Sequence, residues 1–344
     1  MTQKDIAREA NVSVSTVSRV INNKGGNVAS KEVRDRIWEI VRRTNYIPND
    51  HAQKLRSGTV SEGNETPGSI ECLFARTPFA AKDQFFSELA RSVEVEALLM
   101  NYVLAYSFNA AALKNGSAMY SASDGGASGV VILGRCDKST IAAIKKSIRN
   151  ICCVGLNYFK PEYDQVICDG MEASKAAVNY LISLGHKKIG YIGEAMDEIR
   201  YVGYRNAMIE NQLTTESRYV ANVLQSYEGG YKGAKKLVAC ASDITAVFCA
   251  NDITAVGAMR AFRDSGLSIP KDISVIGVDD IESSKYLAPP LTKIHIPIEE
   301  MGKFAAKILI DRIRGGHRTP VKLILPFHLE ARDSCARLKP QGKA

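Results

Sequence analysis

No apolar run in this chain comes near the roughly 18 residues that a membrane span requires. The opening residues, MTQKDIAREANV, lack the basic, apolar and small-residue order of a signal peptide, so the expected compartment is the cytoplasm, with no membrane contact. None of the eight cysteines forms a C-x-x-C pair, and the five histidines show no ligand spacing. Zinc ribbons and redox motifs are therefore excluded, and no metal is expected. Most of the cysteines sit in apolar strand-like runs, where a free thiol acts as a small hydrophobe. A nucleophile elbow (G-x-S-x-G), a P-loop and a G-x-G-x-x-G after a strand are also missing, so no catalytic residue and no cofactor is expected.

What is present belongs to a globular chain. Hydrophobic residues make up 45% and charged residues 24%, and 344 residues suit two or three domains. The formal charge is +8. Residues 1–58 hold 11 Lys/Arg against 6 Asp/Glu, while the other 286 carry 34 against 31. Positive charge is densest at the N-terminus, as a phosphate-facing module requires, although a solvated basic face has the same balance.

Residues 1–47 read as three short helices. Ile6, Ala7 and Ala10 give the first an apolar face. Ser13 can cap the second, whose inner face is Val17, Val20 and Ile21. Ser30 can cap the third, with Val33, Ile37, Ile40 and Val41 inside. The outer face of the second helix carries Val14, Ser15, Thr16, Ser18, Arg19 and Asn22. Short hydroxyls let a helix sit close to DNA, and an arginine can pair with both acceptors of guanine in the major groove. A surface valine suits a thymine methyl. This is the arrangement of a recognition helix, and an ordinary helical hairpin with a polar face shares it.

Two stretches, KDIAREANVSVSTVSRVINN and NYIPNDHAQKL, resemble in order and spacing the headpiece of the lactose/galactose repressor (LacI–GalR) family. The resemblance implies base reading by Val14, Ser15 and Arg19. It implies phosphate contacts by Ser13, Thr16, Ser18, Asn22, Tyr46 and Asn49. The loop in NNKGGNVASKEVR is about one residue longer than the family's. Residues 48–58 are too short for a stable isolated helix, yet they have an Asn cap, helix formers and a terminal Ser-Gly, which suits a segment that folds on binding. The resemblance makes this the hinge helix, with Leu55 wedging a central base step in the minor groove and Ala52 as its small contact. A polar linker, 59–68, follows.

From Ser69 to Leu338, short apolar β-rich runs alternate with helical stretches. The pattern predicts an α/β region of parallel sheets in two lobes, roughly 69–162 plus 294–320 and 163–293 plus 321–338, before a tail at 339–344. Ligands of open α/β sheets bind at the carboxyl ends of strands. Polar or aromatic residues follow the apolar runs at Asp83, Phe85, Phe86, Asn157, Arg200, Asn251, Asp252, Asp279 and Asp280. Directed hydrogen-bonding groups beside an aromatic face suit a sugar. YLISLGHKKIGYIG, the run from Cys249 to Asp280 and APPLTKIHIP resemble the same family's effector domain, itself similar to periplasmic sugar-binding proteins. NICCVGLN points to the subgroup around the evolved β-galactosidase repressor. The resemblance implies effector contacts by Phe85, Phe86, Asn157, Arg200, Asn251 and Asp279. Gln225 stands near the family's covering aromatic, which leaves either Tyr227 or no residue as its substitute, and Ile296 replaces a common polar residue.

The expected protein is a homodimeric, multidomain repressor. An all-α helix-turn-helix headpiece binds double-stranded DNA at a pseudo-palindromic operator, and a sugar such as a galactoside or another mono- or disaccharide releases it. The six residues after Leu338 hold no leucine heptad for a tetramer. A purine or anionic corepressor is the alternative effector, for which a second basic residue beside Arg200 would argue. A free-standing sugar-binding protein fits less well, because it would carry a signal peptide and no headpiece.

Overall fold

The computed structural model describes residues 3–21, 29–44, 67–75, 83–109, 127–279 and 281–338. The chain divides into two units, Met1–Thr66 and Pro67–Ala344. Among the described residues no helix is long and apolar enough to cross a membrane.

In the first unit, α1 (Gln3–Glu9), α2 (Val14–Ile21) and α3 (Lys31–Thr44) bring the expected stripes together. Ile6, Ala7, Ala10, Val17, Val20, Ile37, Ile40 and Val41 are buried in one cluster, and Val33 packs against it. Asn11 makes the sharp turn after α1 in the left-handed region, at a φ of 53°, which asparagine tolerates better than most residues. The Ser13 Oγ accepts from the Thr16 N–H at 3.1 Å, and the Ser30 Oγ from the Val33 N–H at 3.4 Å, so both serines satisfy amides that the first turn leaves without partners. Arg36 Nη1 donates to the Ala10 carbonyl at 3.2 Å and ties α3 to the end of α1.

The second unit holds two six-stranded sheets. The first contains β1 (Gly68–Phe74), β2 (Tyr102–Asn109), β3 (Gly129–Leu133), β4 (Asn150–Gly155), β5 (Asp164–Cys168) and β11 (Lys322–Leu325), in the order β11-β5-β4-β3-β1-β2. Each neighbouring pair in it runs parallel. The second contains β6 (Ile189–Gly193), β7 (Val220–Asn222), β8 (Ala246–Cys249), β9 (Ser274–Asp279), β10 (Thr292–His295) and β12 (His328–Glu330), in the order β12-β10-β9-β8-β6-β7. Only β12 runs antiparallel to its neighbour. The apolar runs are buried along their whole length in β3, β5, β6, β8 and β9, as strands covered on both faces must be.

Helices α4 (Gln84–Leu99), α5 (Lys138–Lys145) and α10 (Ile298–Ile313) accompany the first sheet. Helices α6 (Gly170–Ser183), α7 (Ile199–Glu210), α8 (Tyr227–Cys240) and α9 (Asp252–Asp264) accompany the second. The lobe limits therefore differ from those expected. Strands β5 and β11, assigned above to the second lobe, pair with each other in the first sheet, and β10 completes in the second sheet at His295. Each run has the same apolar character whichever sheet it joins, so hydropathy places a strand without saying which sheet receives it. The chain passes between lobes after β5, after β10 and after β11.

One buried carboxylate fastens the edge of the first sheet. Asp164 accepts from Arg312 Nε and Nη2, from His317 Nε2 at 3.1 Å and from the Val321 N–H at 2.8 Å. Burial alone would raise its pKa, but the bonds from Arg312, the Val321 amide and His317 outweigh burial and hold it below the usual 3.8. A depressed carboxylate pKa contributes stability above the unfolded value, and this is lost as pH falls through the folded value. Asp164→Asn should lower stability by about 2–3 kcal/mol at neutral pH, less than for a wholly buried pair because Arg312 is partly exposed. In urea titrations the difference from wild type should shrink below about pH 4. A difference that stays constant down to pH 3 would count against the assignment.

Candidate functional site

Strand orders 2-1-3-4-5 and 7-6-8-9-10 place a switch point in each sheet beside β1 and β6, where flanking loops diverge and a crevice opens. The cleft of the second unit lies among the loops at these strand ends. From the first lobe it is lined by Asp83, Phe85, Phe86, Gly134, Arg135, Gly155, Leu156 and Asn157, and from the second by Glu198, Arg200, Asn251 and Asp279. All six effector residues expected from the sequence line this one cleft.

Local chemistry sets each group. Asp83 caps α4, its Oδ1 accepting from the Phe85 N–H at 3.0 Å. The Phe85 and Phe86 rings meet edge to face with centroids 5.1 Å apart. Gly134 has a φ of 80°, and a Cβ there would lie 2.7 Å from the Phe86 ring, so only glycine leaves room for that wall. Asn251 caps α9 through the Thr254 N–H at 3.1 Å. Asp279 ends β9 at a φ of 135°, a conformation that L-residues rarely adopt.

Arg200 is the most constrained group. Its side chain is 5% exposed, and its Nε donates to Glu198 Oε1 at 2.7 Å. Nη2 donates to Glu198 Oε2 at 3.2 Å and to Gln225 Oε1 at 2.6 Å, and Nη1 to the Ala250 carbonyl at 2.8 Å. Asp279 Oδ1 lies 4.0 Å from Nη1. Burial would lower the Arg200 pKa, but the charge and hydrogen bonds of Glu198 outweigh it and hold the guanidinium above its ordinary value. Glu198 itself is the N-cap of α7, accepting from the Arg200 N–H at 3.3 Å.

Glu198 and Arg135 were missed in the sequence. Arg135 follows β3 by two residues and reaches across to the loop between β6 and α7. It donates to the Met196 carbonyl at 3.2 Å and to the Asp197 carbonyl, and it pairs with Glu194 at 3.5 Å. A second basic residue beside Arg200 would argue for an anionic effector; Arg135 lines the same cleft, with its guanidinium engaged by these three groups. Two other expectations change. Gln225 binds Arg200 and Tyr227 is not among the lining residues, so among the described residues no aromatic side chain of the second lobe lines the cleft, the second of the two alternatives. Asp252 is buried away from the cleft: burial pushes its carboxyl up to about 7 against the pull of Lys293, and its Oδ2 accepts from the Ile281 N–H at 3.2 Å. Asp280 lies outside the described residues.

In the first unit, Ser13, Val14, Ser15, Thr16 and Arg19 share the start and outer face of α2. Ser13, Val14, Ser15 and Arg19 are exposed, Val14 at 39%. The Ser13 Oγ lies 2.7 Å from the Ser15 Oγ and 2.8 Å from the Thr16 Oγ1, which gathers three hydroxyls at the helix start. Ser18 lies within α2. Asn22, Tyr46, Asn49, Ala52 and Leu55 lie outside the described residues.

The buried pair makes a stability prediction separate from any ligand. Arg200→Ala leaves Glu198 buried with its main partner gone, so unfolding by urea should show a loss of about 3–5 kcal/mol. Adding Glu198→Gln in the same chain should recover a large part of that loss. A double variant as unstable as the single one would mean that packing, not charge, sets the effect.

The family model described as bacterial regulatory proteins, lacI family, matches residues 2–49, and the periplasmic binding protein-like domain model matches 178–335. The ribose operon repressor of Haemophilus influenzae is 32% identical, over 98% of this chain and 99% of its own. A LacI family transcriptional regulator from Enterococcus faecium, solved with bound ribose, is 28% identical with a TM-score of 0.67, covering 79% of this chain and 100% of its own. The lac repressor dimer bound to operator shares the fold at 24% identity and a TM-score of 0.67, covering 98% of this chain and 99% of its own. A headpiece match at one end, a binding-protein-like match at the other and a repressor relative aligned along almost the whole length agree: the chain belongs to the LacI family of DNA-binding transcriptional repressors, which are regulatory proteins and not enzymes.

Proposed function

We propose that the cleft of the second unit binds a small sugar, and that this binding releases a cytoplasmic homodimer from a pseudo-palindromic operator. The observation that carries this reading is the convergence of Phe85, Phe86 and Asn157 from one lobe with Arg200, Asn251 and Asp279 from the other on a single cleft. Aromatic edges face the apolar side of a sugar ring, and amide, carboxylate and guanidinium groups hold its hydroxyls. A ligand touching both lobes binds their two arrangements with different affinity, which is the condition for a switch. The ribose bound to the Enterococcus faecium relative supports a sugar here.

On the DNA side, Val14, Ser15 and Arg19 read base edges, and Ser13, Thr16, Ser18, Asn22, Tyr46 and Asn49 hold phosphates. The Ser13 oxygen already accepts from the Thr16 amide, so it offers a phosphate its O–H. Residues 48–58 form the hinge, where Ala52 and Leu55 meet the minor groove. Residues 1–47, 48–58 and 59–68 then act as reader, wedge and connection. A second reading, a purine or anionic corepressor, has one observation behind it, Arg135 in the cleft wall, and is weakened by the turn of that guanidinium to Glu194 and two backbone carbonyls.

Thermal unfolding of the purified chain with D-ribose, D-galactose, D-glucose, lactose and cellobiose tests the first reading against adenine, guanine and hypoxanthine. A binding sugar at a hundredfold excess over its Kd should add about 2.7 kcal/mol of stability, a rise of a few degrees in Tm. Asp279→Asn should remove the rise. A rise with a purine and none with any sugar would favour the second reading. For the headpiece, Arg19→Ala should weaken operator binding by roughly 1–3 kcal/mol while changing affinity for random DNA much less. Equal losses on both DNAs would reduce Arg19 to a phosphate contact.

A further inference from the structure

We propose that Glu198 sets the charge of the effector: by occupying the guanidinium fork of Arg200, it makes the cleft select an uncharged polyhydroxylated ligand over a carboxylate or phosphate. This rests on the sugar reading of the cleft.

A guanidinium has five N–H groups, and its value for anions lies in presenting two of them side by side to two oxygens. In Arg200 that edge is taken. Nε and Nη2 face the two oxygens of Glu198, the second Nη2 hydrogen faces Gln225, and one Nη1 hydrogen faces the Ala250 carbonyl. Gln225 also donates to Glu198 Oε2 at 3.1 Å, closing a three-residue ring. Glu198 and Arg200 are both nearly sealed from water, so neither is screened and neither is replaced by solvent.

What remains for a ligand is the 4.0 Å interval between Nη1 and Asp279 Oδ1. A hydroxyl suits it, because one oxygen can accept from Nη1 and donate its proton to the carboxylate. A carboxylate or phosphate oxygen has no proton for Asp279 and would meet like charge from Asp279 and Glu198 together. The wall as a whole points the same way, with Asp83, Glu198 and Asp279 against Arg135 and Arg200. Arg135 adds little for an anion, since its guanidinium is turned to Glu194 and to two backbone carbonyls.

Glu198 acts through Arg200, so it is a positioning residue, and the readout is a preference and not a simple loss. Calorimetric titration of the full chain uses matched pairs: D-galactose with D-galacturonate, D-glucose with D-glucuronate, and D-ribose with ribose 5-phosphate. Wild type should bind the neutral member at least about tenfold more tightly. Glu198→Gln should cut that ratio by about tenfold, whereas Glu198→Asp, which keeps the charge, should preserve it. A uronate or phosphate bound by wild type as tightly as its neutral partner overturns the proposal, without need of a variant. So does a Glu198→Asp chain that behaves like Glu198→Gln. A second arm uses sulfate as the probe, against chloride at equal ionic strength. Glu198→Gln should gain a sulfate-dependent rise in Tm that wild type and Glu198→Asp lack, and the gain should vanish in Glu198→Gln with Arg200→Gln. If no sugar of any pair binds, the sugar reading fails, and the sulfate arm still decides the role of Glu198: no gain overturns it.

Discussion

All five neighbouring pairs of the first sheet run parallel, and so do four of the five in the second. A parallel strand cannot return by a tight turn; helices fill the crossovers from β1 to β2, β3 to β4, β6 to β7, β7 to β8 and β8 to β9 and bring the chain back to the same starting edge. The loops at the carboxyl ends therefore gather at one edge of each sheet. The two switch points bring eight residues of one lobe and four of the other to the same cleft. Helix starts follow directly after many of these strand ends. Asp83, Glu198 and Asn251 are cleft residues and N-caps at once, so the residues that face the cleft also fix the helices behind it.

A buried ion pair is a poor way to gain stability, because removing both charges from water costs about as much as their attraction returns. The Arg200–Glu198 pair is therefore better understood by what it holds in place. With Asp279 alone as counter-charge, 4.0 Å from Nη1, the Nε and Nη2 edge of Arg200 would stay open to whatever anion could reach it. With Glu198 and Gln225 in the ring, the guanidinium is held flat and neutralised before any ligand arrives. Preorganised groups then bind without first giving up other partners in water.

The headpiece was legible because its signal is local. Ile6 and Ala10, Val17 and Val20, and Ile37, Ile40 and Val41 repeat at helical spacing, and caps stand where helices begin. The cleft residues were legible for a topological reason: polar side chains directly after apolar runs must lie at strand ends. Glu198 and Arg135 escaped both tests. Glu198 stands five residues beyond the last residue of β6, and Arg135 looks like an ordinary surface residue of a βα loop; periodicity says nothing about which loop side chain turns inward. One signal for Glu198 existed. Glutamate is not among the favoured N-caps, and a glutamate in that place just before an arginine is a choice that helix capping alone does not explain. Sheet membership of β5 and β11 was illegible because it depends on pairing between strands more than 150 residues apart, Asp164–Cys168 with Lys322–Leu325.

The lobes meet across the cleft through polar contacts on partly exposed side chains. Arg135 reaches the loop after β6, and Ser283 donates to Gln84 at 3.1 Å at the head of α4. The Arg135 side chain is 31% exposed and Glu194 22%, so water competes with their pairing and each such contact contributes modestly. Three strand crossings join the lobes and leave them free to turn. Away from these polar contacts, one buried apolar cluster includes Val131 and Val166 of the first sheet and Tyr191 and Ile294 of the second. Arg135 spends its hydrogen bonds on backbone carbonyls of the opposite lobe. A carbonyl cannot be titrated, so these two contacts persist wherever the arginine is charged and the lobes stay close.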